Sequence, residues 1–356
     1  MDQPRQLTGA QAICEALDIC MAKDENVFLL GLGVADIKGI FGTTKGLVNK
    51  YGAGRVMEVP VSENGFTGIA IGAAITGMKP VVSHQRIDFA LLSLDQIINN
   101  AANWHYMYGG TQKVPLTIRM IIGRGWGQGP QHSQNYQALF MHIPGLKVVM
   151  PFSPYEAKGL LISSIYDNNP VIFIEHRWIH NFKGPVPEEA YRIPLGKAET
   201  IRSGKDITIV GASFMLTECL KAANALEQLG ISMEIINPRT IKPMDQQHII
   251  NSVKKTGRLI AVDSGYLTGG LTSEIAAFVS EKAFQALKNP VKRLAAPDSP
   301  APTTRALIQY YYPTARDIVN ESLSMLGIDG EPNIESLLPP DNLPCDVPDA
   351  SFCGPF

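Results

Sequence analysis

Short runs rich in valine and isoleucine alternate with helix-patterned stretches through most of this chain, in two series separated by a break of proline and charge. Strands separated by helices are driven to lie parallel, and a parallel sheet needs cover on both faces. The pattern therefore predicts an α/β fold with two doubly wound, mainly parallel sheets. In the first series Thr8 can cap a helix over GAQAICEALDICMAKD, with an apolar stripe at Ala12, Ile13, Ala16, Leu17, Ile19 and Cys20, before the buried strand NVFLLGLG. Then come the strand RVMEVP, the helix ENGFTGIAIGAAITGM, the strand KPVVSH, the helix SLDQIINNAANWHYMYGG and the strand VPLTIRMII. A glycine-rich loop, GRGWGQGPQHSQ, leads to the strand LKVVMP, the helix PYEAKGLLISSIYD and the strand PVIFIEH. The second series runs from DITIVGAS through SMEIINPRTIKP and RLIAVDSG to VKRLAA, with helices between. The expected units are residues 1–180, a connector at 181–205, a smaller α/β unit at 206–328 and a tail at 329–356. The tail holds six acids, several prolines and no Lys or Arg, so it is expected to lack a core and to be disordered or to lie along a partner.

A length of 356 residues exceeds what one hydrophobic core usually serves, which agrees with two domains. A formal net charge of -2 leaves no basic excess to displace counterions, so nucleic acid is not an expected partner. The five cysteines are scattered, with no C-x-x-C pair, and suit reduced thiols in a cytoplasmic protein rather than a disulfide framework or zinc site. The first thirty residues lack the layout of a signal or transit peptide. The apolar stretch 65–82 ends at Lys79-Pro80 and mixes glycine with alanine and isoleucine, which describes a closely packed helix rather than a membrane span.

Chemistry concentrates in a few places. Glu63 is the one carboxylate in VPVSENGFTGIAIGAAITGMKPVV, at a strand-to-helix junction. A carboxylate there can interact with the helix dipole. It can equally line an apolar pocket, where desolvation would raise its pKa and let it share a proton with a bound heterocycle. Both readings stay open on spacing alone. The loop at 123–134 follows a strand, the usual address of sites in open α/β sheets, and its His132 can serve as an acid-base group or simply as a surface residue. No Lys-Ser/Thr follows its glycines, so it is not a nucleotide P-loop, and adjacent Ser133 has no acid partner in view. His176 and His180 have the spacing of a zinc pair but no third ligand pattern. GLGVAD at 31–36 is only a fragment of a dinucleotide fingerprint, and VDSGYLTGG at 262–270 reads as a turn before a helix. In HQRIDF, Arg86 and Asp88 are expected to pair with each other, with Phe89 in the core.

Several of these blocks in order, PVSENGFTGIAIGAA, DFALLSLDQIINNAA, GPQHSQ, PGLKVVMP, AKGLL, DNNPVIFIEH and INPRTIKPMD, make residues 7–327 resemble the β subunits of thiamine-diphosphate-dependent 2-oxo acid dehydrogenases, a family that includes the pyruvate, branched-chain and acetoin enzymes. The resemblance implies a transketolase-like pyrimidine-binding domain followed by a transketolase C-terminal-like domain. It places the pyrimidine-contacting glutamate on Glu63 and implies that this residue favours the cofactor's imino tautomer, whose imine takes the proton from the thiazolium carbon before attack on a 2-oxo acid. It also carries the apolar pocket position to Val61, an aromatic position against the pyrimidine to Phe89, a neighbouring cofactor contact to Gln85 and the active-site histidine to His132. Gly65, Gly68 and Gly72 would let the helix pack against a neighbouring subunit. A structural monovalent cation such as K+ would be held by backbone carbonyls at Leu116, Ser164, Asp167 and Asn169.

The related α subunit holds diphosphate and Mg2+ with a Gly-Asp-Gly motif, a triplet absent from this sequence; GIDGEPN at 327–333 has the wrong triplet and spacing. The expectation is a catalytically incomplete chain that works in an α2β2 heterotetramer with an α subunit and passes an acyl group to a lipoyl-bearing acyltransferase. The alternative is one half of a split transketolase-like enzyme, performing acyl or ketol transfer or carbon-carbon ligation without a lipoyl acceptor. The sequence departs from pyruvate-type chains at RGWGQGP and HQRIDF, where Arg124 and Arg86 could meet a polar or anionic substrate, or merely Asp88 and other carboxylates.

Overall fold

The computed structural model describes residues 4–124, 127–328, 334–338 and 345–347. In chain order the strands among them are β1 (Gln6–Thr8), β2 (Val27–Gly31), β3 (Val56–Glu58), β4 (Lys79–His84), β5 (Thr117–Ile122), β6 (Lys147–Val149) and β7 (Val171–His176). They continue with β8 (Lys183–Pro185), β9 (Glu199–Arg202), β10 (Ile207–Gly211), β11 (Met233–Asn237), β12 (Thr240–Lys242), β13 (Leu259–Tyr266) and β14 (Lys292–Ala296).

A seven-stranded sheet runs in the order β12-β6-β7-β5-β4-β2-β3. Its neighbours are parallel except at the β12 edge. Every residue of β2, β5 and β7 is buried, as expected for strands covered on both faces. One layer of core gathers around Ile13, Leu17, Leu29, Val81 and Phe173, and the other around Phe66, Ile97, Ile118, Phe140 and Ile174. The helix Gly9–Lys23 begins at the anticipated Thr8, whose side chain accepts from the amide of Gln11 while Gln11 returns a bond to the amide of Thr8.

The second sheet has the order β14-β13-β10-β11-β9, with β9 antiparallel at its edge. Two strands thus fall inside the stretch read as a connector: β9 and also β8, which pairs with β1. SMEIINPRTIKP forms two strands in two different sheets, because Pro238 lacks a donor and Arg239 turns with φ +56°. As a result β12, contributed by the second half of the chain, closes the edge of the first sheet against β6. VDSGYLTGG begins as strand, since β13 extends to Tyr266, and turns only afterwards. The described tail residues lie along this chain itself. Ile334, Leu337 and Leu338 pack on the core beneath the Met215–Glu227 helix, and Cys345 packs near Tyr311 and Tyr312. Most of the region read as tail, including 329–333 of GIDGEPN, lies outside the described residues.

Candidate active site

Strands β3, β2, β4 and β5 are neighbours in the sheet, and the polypeptide leaving their carboxyl ends supplies every wall of a small recess and the loop beside it. Ligand sites of open α/β sheets form at such an edge. Leu32 follows β2, Glu63 opens the helix Glu63–Ile75 after β3, and Ser83, His84 and Gln85 end or follow β4. Together with Phe66 and Phe89 they line a small recess whose enclosed space is about 10 Å³, room for little more than one water, so this chain alone does not form a complete small-molecule site.

Glu63 occupies the first helical position, and Ser62 before it makes no side-chain cap. The carboxylate therefore sits in the favourable dipole position and in the recess at once, so the two readings of Glu63 do not exclude each other. The residue is 7% exposed, and among the described residues its carboxylate takes no hydrogen bond. Its backbone carbonyl accepts from Ser93 Oγ at 2.9 Å, and Ser93 in turn accepts from Thr67 Oγ1 at 3.0 Å, which fixes the first turn from behind. Gln85 Nε2 donates to the Leu32 carbonyl at 3.2 Å, bridging β4 to β2 across the floor. Gly33 there has φ +81°, and a Cβ would stand 2.9 Å from that amide nitrogen, so the approach requires glycine.

The residue missed from sequence is His84. It lines the recess, its ring lies 5.3 Å from that of Phe66, and its Nε2 is buried with no partner among the described residues. Burial drives its pKa down to about 3, so the imidazole is neutral and offers one donor and one acceptor nitrogen. As the last residue of a buried strand it reads as core; only the unpartnered buried nitrogen marks it out.

His132 reaches the recess through Phe89: their rings meet edge-to-face at 5.4 Å. The glycine-rich loop that carries it is gripped by the turn after β4. Arg86, 6% exposed, donates from Nη1 to the His132 carbonyl and from Nη2 to Gln128 Oε1, both at 2.7 Å. The amide of Gln134 donates to Asp88 Oδ1 at 3.3 Å. The anticipated Arg86–Asp88 ion pair is therefore not what forms; the guanidinium is spent on the loop and feels Asp88 only through space. Burial raises the Asp88 carboxyl to about 6, against the pull of its backbone donors and of Arg86.

Other candidates fall elsewhere. Val61 is 74% exposed and stands outside the recess in the single chain. Arg124 is 3% exposed and among the described residues meets no carboxylate; its guanidinium lies over the rings of Trp178, Phe214 and Tyr312 and donates to the carbonyls of Cys345 and Pro313. His176 accepts from the amide of Trp178, while His180 bonds Glu175, so the pair is not a metal site; among the described residues no cluster of His, Cys, Asp or Glu could hold a metal ion. Glu175 also receives Arg119 through two bonds, at 2.6 and 3.0 Å. In GLGVAD the amides of Gly33 and Ala35 both donate to the carboxylate of Glu58, which fills the place a phosphate would take.

The four positions anticipated for a monovalent cation lie where the Pro154–Ile165 helix ends near the starts of β5 and β7. The Leu116 carbonyl accepts from Val171, the Ser164 carbonyl from Asp167, and the Asp167 carboxylate takes Lys147 Nζ at 2.5 Å and the amide of Asn169. Asn169 Oδ1 is buried without a partner among the described residues. The Ser164 carbonyl also takes the amide of Tyr166, so both of its lone pairs are engaged, whereas the Leu116 carbonyl accepts one amide and keeps a second lone pair that could face an ion.

Residues 5–180 match the family described as transketolase, pyrimidine binding domain, and residues 196–318 match transketolase, C-terminal domain. The chain is 42% identical over 335 residues to the acetoin:2,6-dichlorophenolindophenol oxidoreductase subunit beta of Bacillus subtilis (strain 168), an alignment covering 91% of this chain and 98% of that one. It is 41% identical over 320 residues to the mitochondrial pyruvate dehydrogenase E1 component subunit beta of Dictyostelium discoideum, covering 89% and 90%. Among solved structures, a split gene transketolase described as an inactive beta4 tetramer superposes with a TM-score of 0.73 at 23% identity, covering 91% of this chain and 99% of the other.

Proposed function

Because this chain belongs to the transketolase-like family of 2-oxo acid dehydrogenase β subunits, with those of the pyruvate and acetoin enzymes, we propose that it supplies the pyrimidine half of a thiamine-diphosphate site completed by an α subunit. The single observation that carries this reading is the buried, unbonded carboxylate of Glu63 in a recess walled by two aromatic rings and an unpartnered histidine nitrogen. Those residues fit a flat nitrogen heterocycle. Glu63 offers a charge or a proton to a ring nitrogen, Phe66 and Phe89 offer apolar walls, Gln85 holds the floor, and neutral His84 offers one further hydrogen bond. When bound, thiamine diphosphate supplies the nucleophilic carbon and electron sink for decarboxylating a 2-oxo acid. The chain's own tasks are to orient the ring, to hold a proton at Glu63, and to present His132 beside Phe89 for proton transfer to substrate or acyl acceptor.

The diphosphate and Mg2+ are assigned to the α partner, since this chain has no Gly-Asp-Gly triplet, and the assembly is assigned as α2β2. Transfer to a lipoyl-bearing acyltransferase and a K+ ion among the carbonyls of Leu116, Ser164, Asp167 and Asn169 complete the proposal. The free thiols of Cys14, Cys20, Cys219 and Cys345 suit a reducing compartment such as the cytoplasm. Among the described residues no helix is long and apolar enough to cross a membrane.

The test is Glu63→Gln in the reconstituted complex, read as hydrogen exchange at the thiazolium carbon. Exchange should fall by about 10²–10⁴-fold, the range for a lost acid-base group, with assembly retained. Unchanged exchange would remove Glu63 from the mechanism and the proposal with it.

A further inference from the structure

The glycine-rich loop is held at its far side by the chain's own C-terminal segment. Asp346 is 3% exposed, and its Oδ2 accepts from the amide of Gly127 at 2.9 Å. Its neighbour Cys345 turns a carbonyl toward Arg124, whose Nη1 donates at 2.6 Å. Two adjacent tail residues thus accept from two loop positions three apart, Cys345 by its carbonyl from a side chain and Asp346 by its carboxylate from the backbone. The grip is anchored on both sides. Arg124 is fixed by three aromatic rings and the Pro313 carbonyl, and Cys345 Sγ donates to the Ile308 carbonyl at 3.2 Å. Gly127 and Gly129 have φ near +70° and press against Thr303, where a Cβ would come within 3.2 and 3.3 Å of that residue. A glycine loop of this kind loses much conformational entropy when it is fixed. Burying a carboxylate to accept a single loop amide is an expensive way to gain stability alone, and it makes sense where loop position matters.

We propose that Asp346 is a positioning residue for the candidate site: the segment Cys345–Val347 straps the loop in cis at Gly127, and Arg86 completes the hold at Gln128 and His132. This rests on the role proposed above for His132. The family matches end at residue 318, before the strap begins.

The experiment compares wild type, Asp346→Ala and Asp346→Asn in the complex with the α chain. Amide hydrogen exchange over residues 127–134 should be about tenfold or more faster in Asp346→Ala, as for loss of a hydrogen bond to a charged group, with the melting temperature little changed. Asp346→Asn keeps an oxygen for the Gly127 amide and should restore most of the protection. Turnover of Asp346→Ala should fall in kcat at nearly constant cofactor affinity, with partial rescue in Asp346→Asn. Should Asp346→Ala not assemble, a chain ending at Leu338 tests the same strap, with protection recovered on adding a peptide of residues 341–350. Unchanged loop exchange overturns the strap, and faster exchange with unaltered kcat overturns its positioning role. Loop exchange is read without turnover, so a strap that holds in a complex lacking thiamine-dependent activity would locate the failure in the proposed function instead.

Discussion

At the level of single residues, Glu175 is fully buried between Arg119 and His180. Burial alone would raise its carboxyl, but the Arg119 charge and the hydrogen bonds of His180 and Arg119 outweigh it and hold it down to about 2. His180 is kept neutral by the same burial and donates its Nε2 proton to the carboxylate. Glu175→Gln leaves Arg119 buried without a counter-charge and should cost roughly 3–5 kcal/mol in urea unfolding. The sign of the pH effect follows. A carboxyl near 4.5 when unfolded and near 2 when folded contributes stability fully above pH 4.5, and that contribution is lost as the pH falls toward 2. A titration of wild type against Glu175→Gln should show the difference shrinking over that window. In PVIFIEHRWIH only the spacing of the two histidines stands out; Arg119 comes from β5, the strand beside β7, a relation that only strand pairing creates.

At the level of elements, the alternation of strand and helix made the sheets readable, because burial on both faces leaves a continuous apolar run with no competing period. Thr8 was legible as a cap for a similarly local reason. What could not be read was pairing at a distance. β9 has only intermediate burial along its length and no apolar run to announce it, and the split at Pro238-Arg239 depends on two sheets competing for one segment. Arg239 holds that split. Its Nε donates to Glu156 Oε1 at 2.6 Å, it also pairs with Glu199, and its own carbonyl accepts from Met150. Arg239→Ala should therefore lower stability by about 1.5–3 kcal/mol, the value of a hydrogen bond to a charged group, measurable by denaturant titration. Of the candidate site, Glu63, Gln85, Phe89 and His132 were named from family blocks and come together in space. Arg86 and His84 were not given their places, since a carbonyl acceptor on a loop and an empty-handed ring nitrogen leave no trace in residue order.

At the level of the whole molecule, one helix face is conspicuously bare. Gly65, Ile69 and Gly72 follow one another at helical spacing, with Val61 two residues before the helix begins; Val61 and Ile69 are 74% and 69% exposed, and a Cβ at Gly72 would meet nothing within 4 Å. Gly68 differs, since its Cβ would come 3.2 Å from Gln96 Oε1 inside the chain. Leu92, 63% exposed, adds to the apolar surface nearby. Uncovered apolar side chains clustered beside the Glu63 recess are what a chain that functions in an assembly presents. Ile69→Asp is expected to leave the monomer's melting curve unchanged while sedimentation or light scattering shows loss of the complex with the α chain; a complex of undiminished mass would place the interface elsewhere.

The short strand β12 sets one more limit on how this machine can operate. Since a piece of the second half is stitched into the border of the first half's sheet, the two lobes cannot gape like a hinged shell without unpicking that seam. On the proposed function, entry to the Glu63 recess would then be controlled at its rim, by the loop at 127–134.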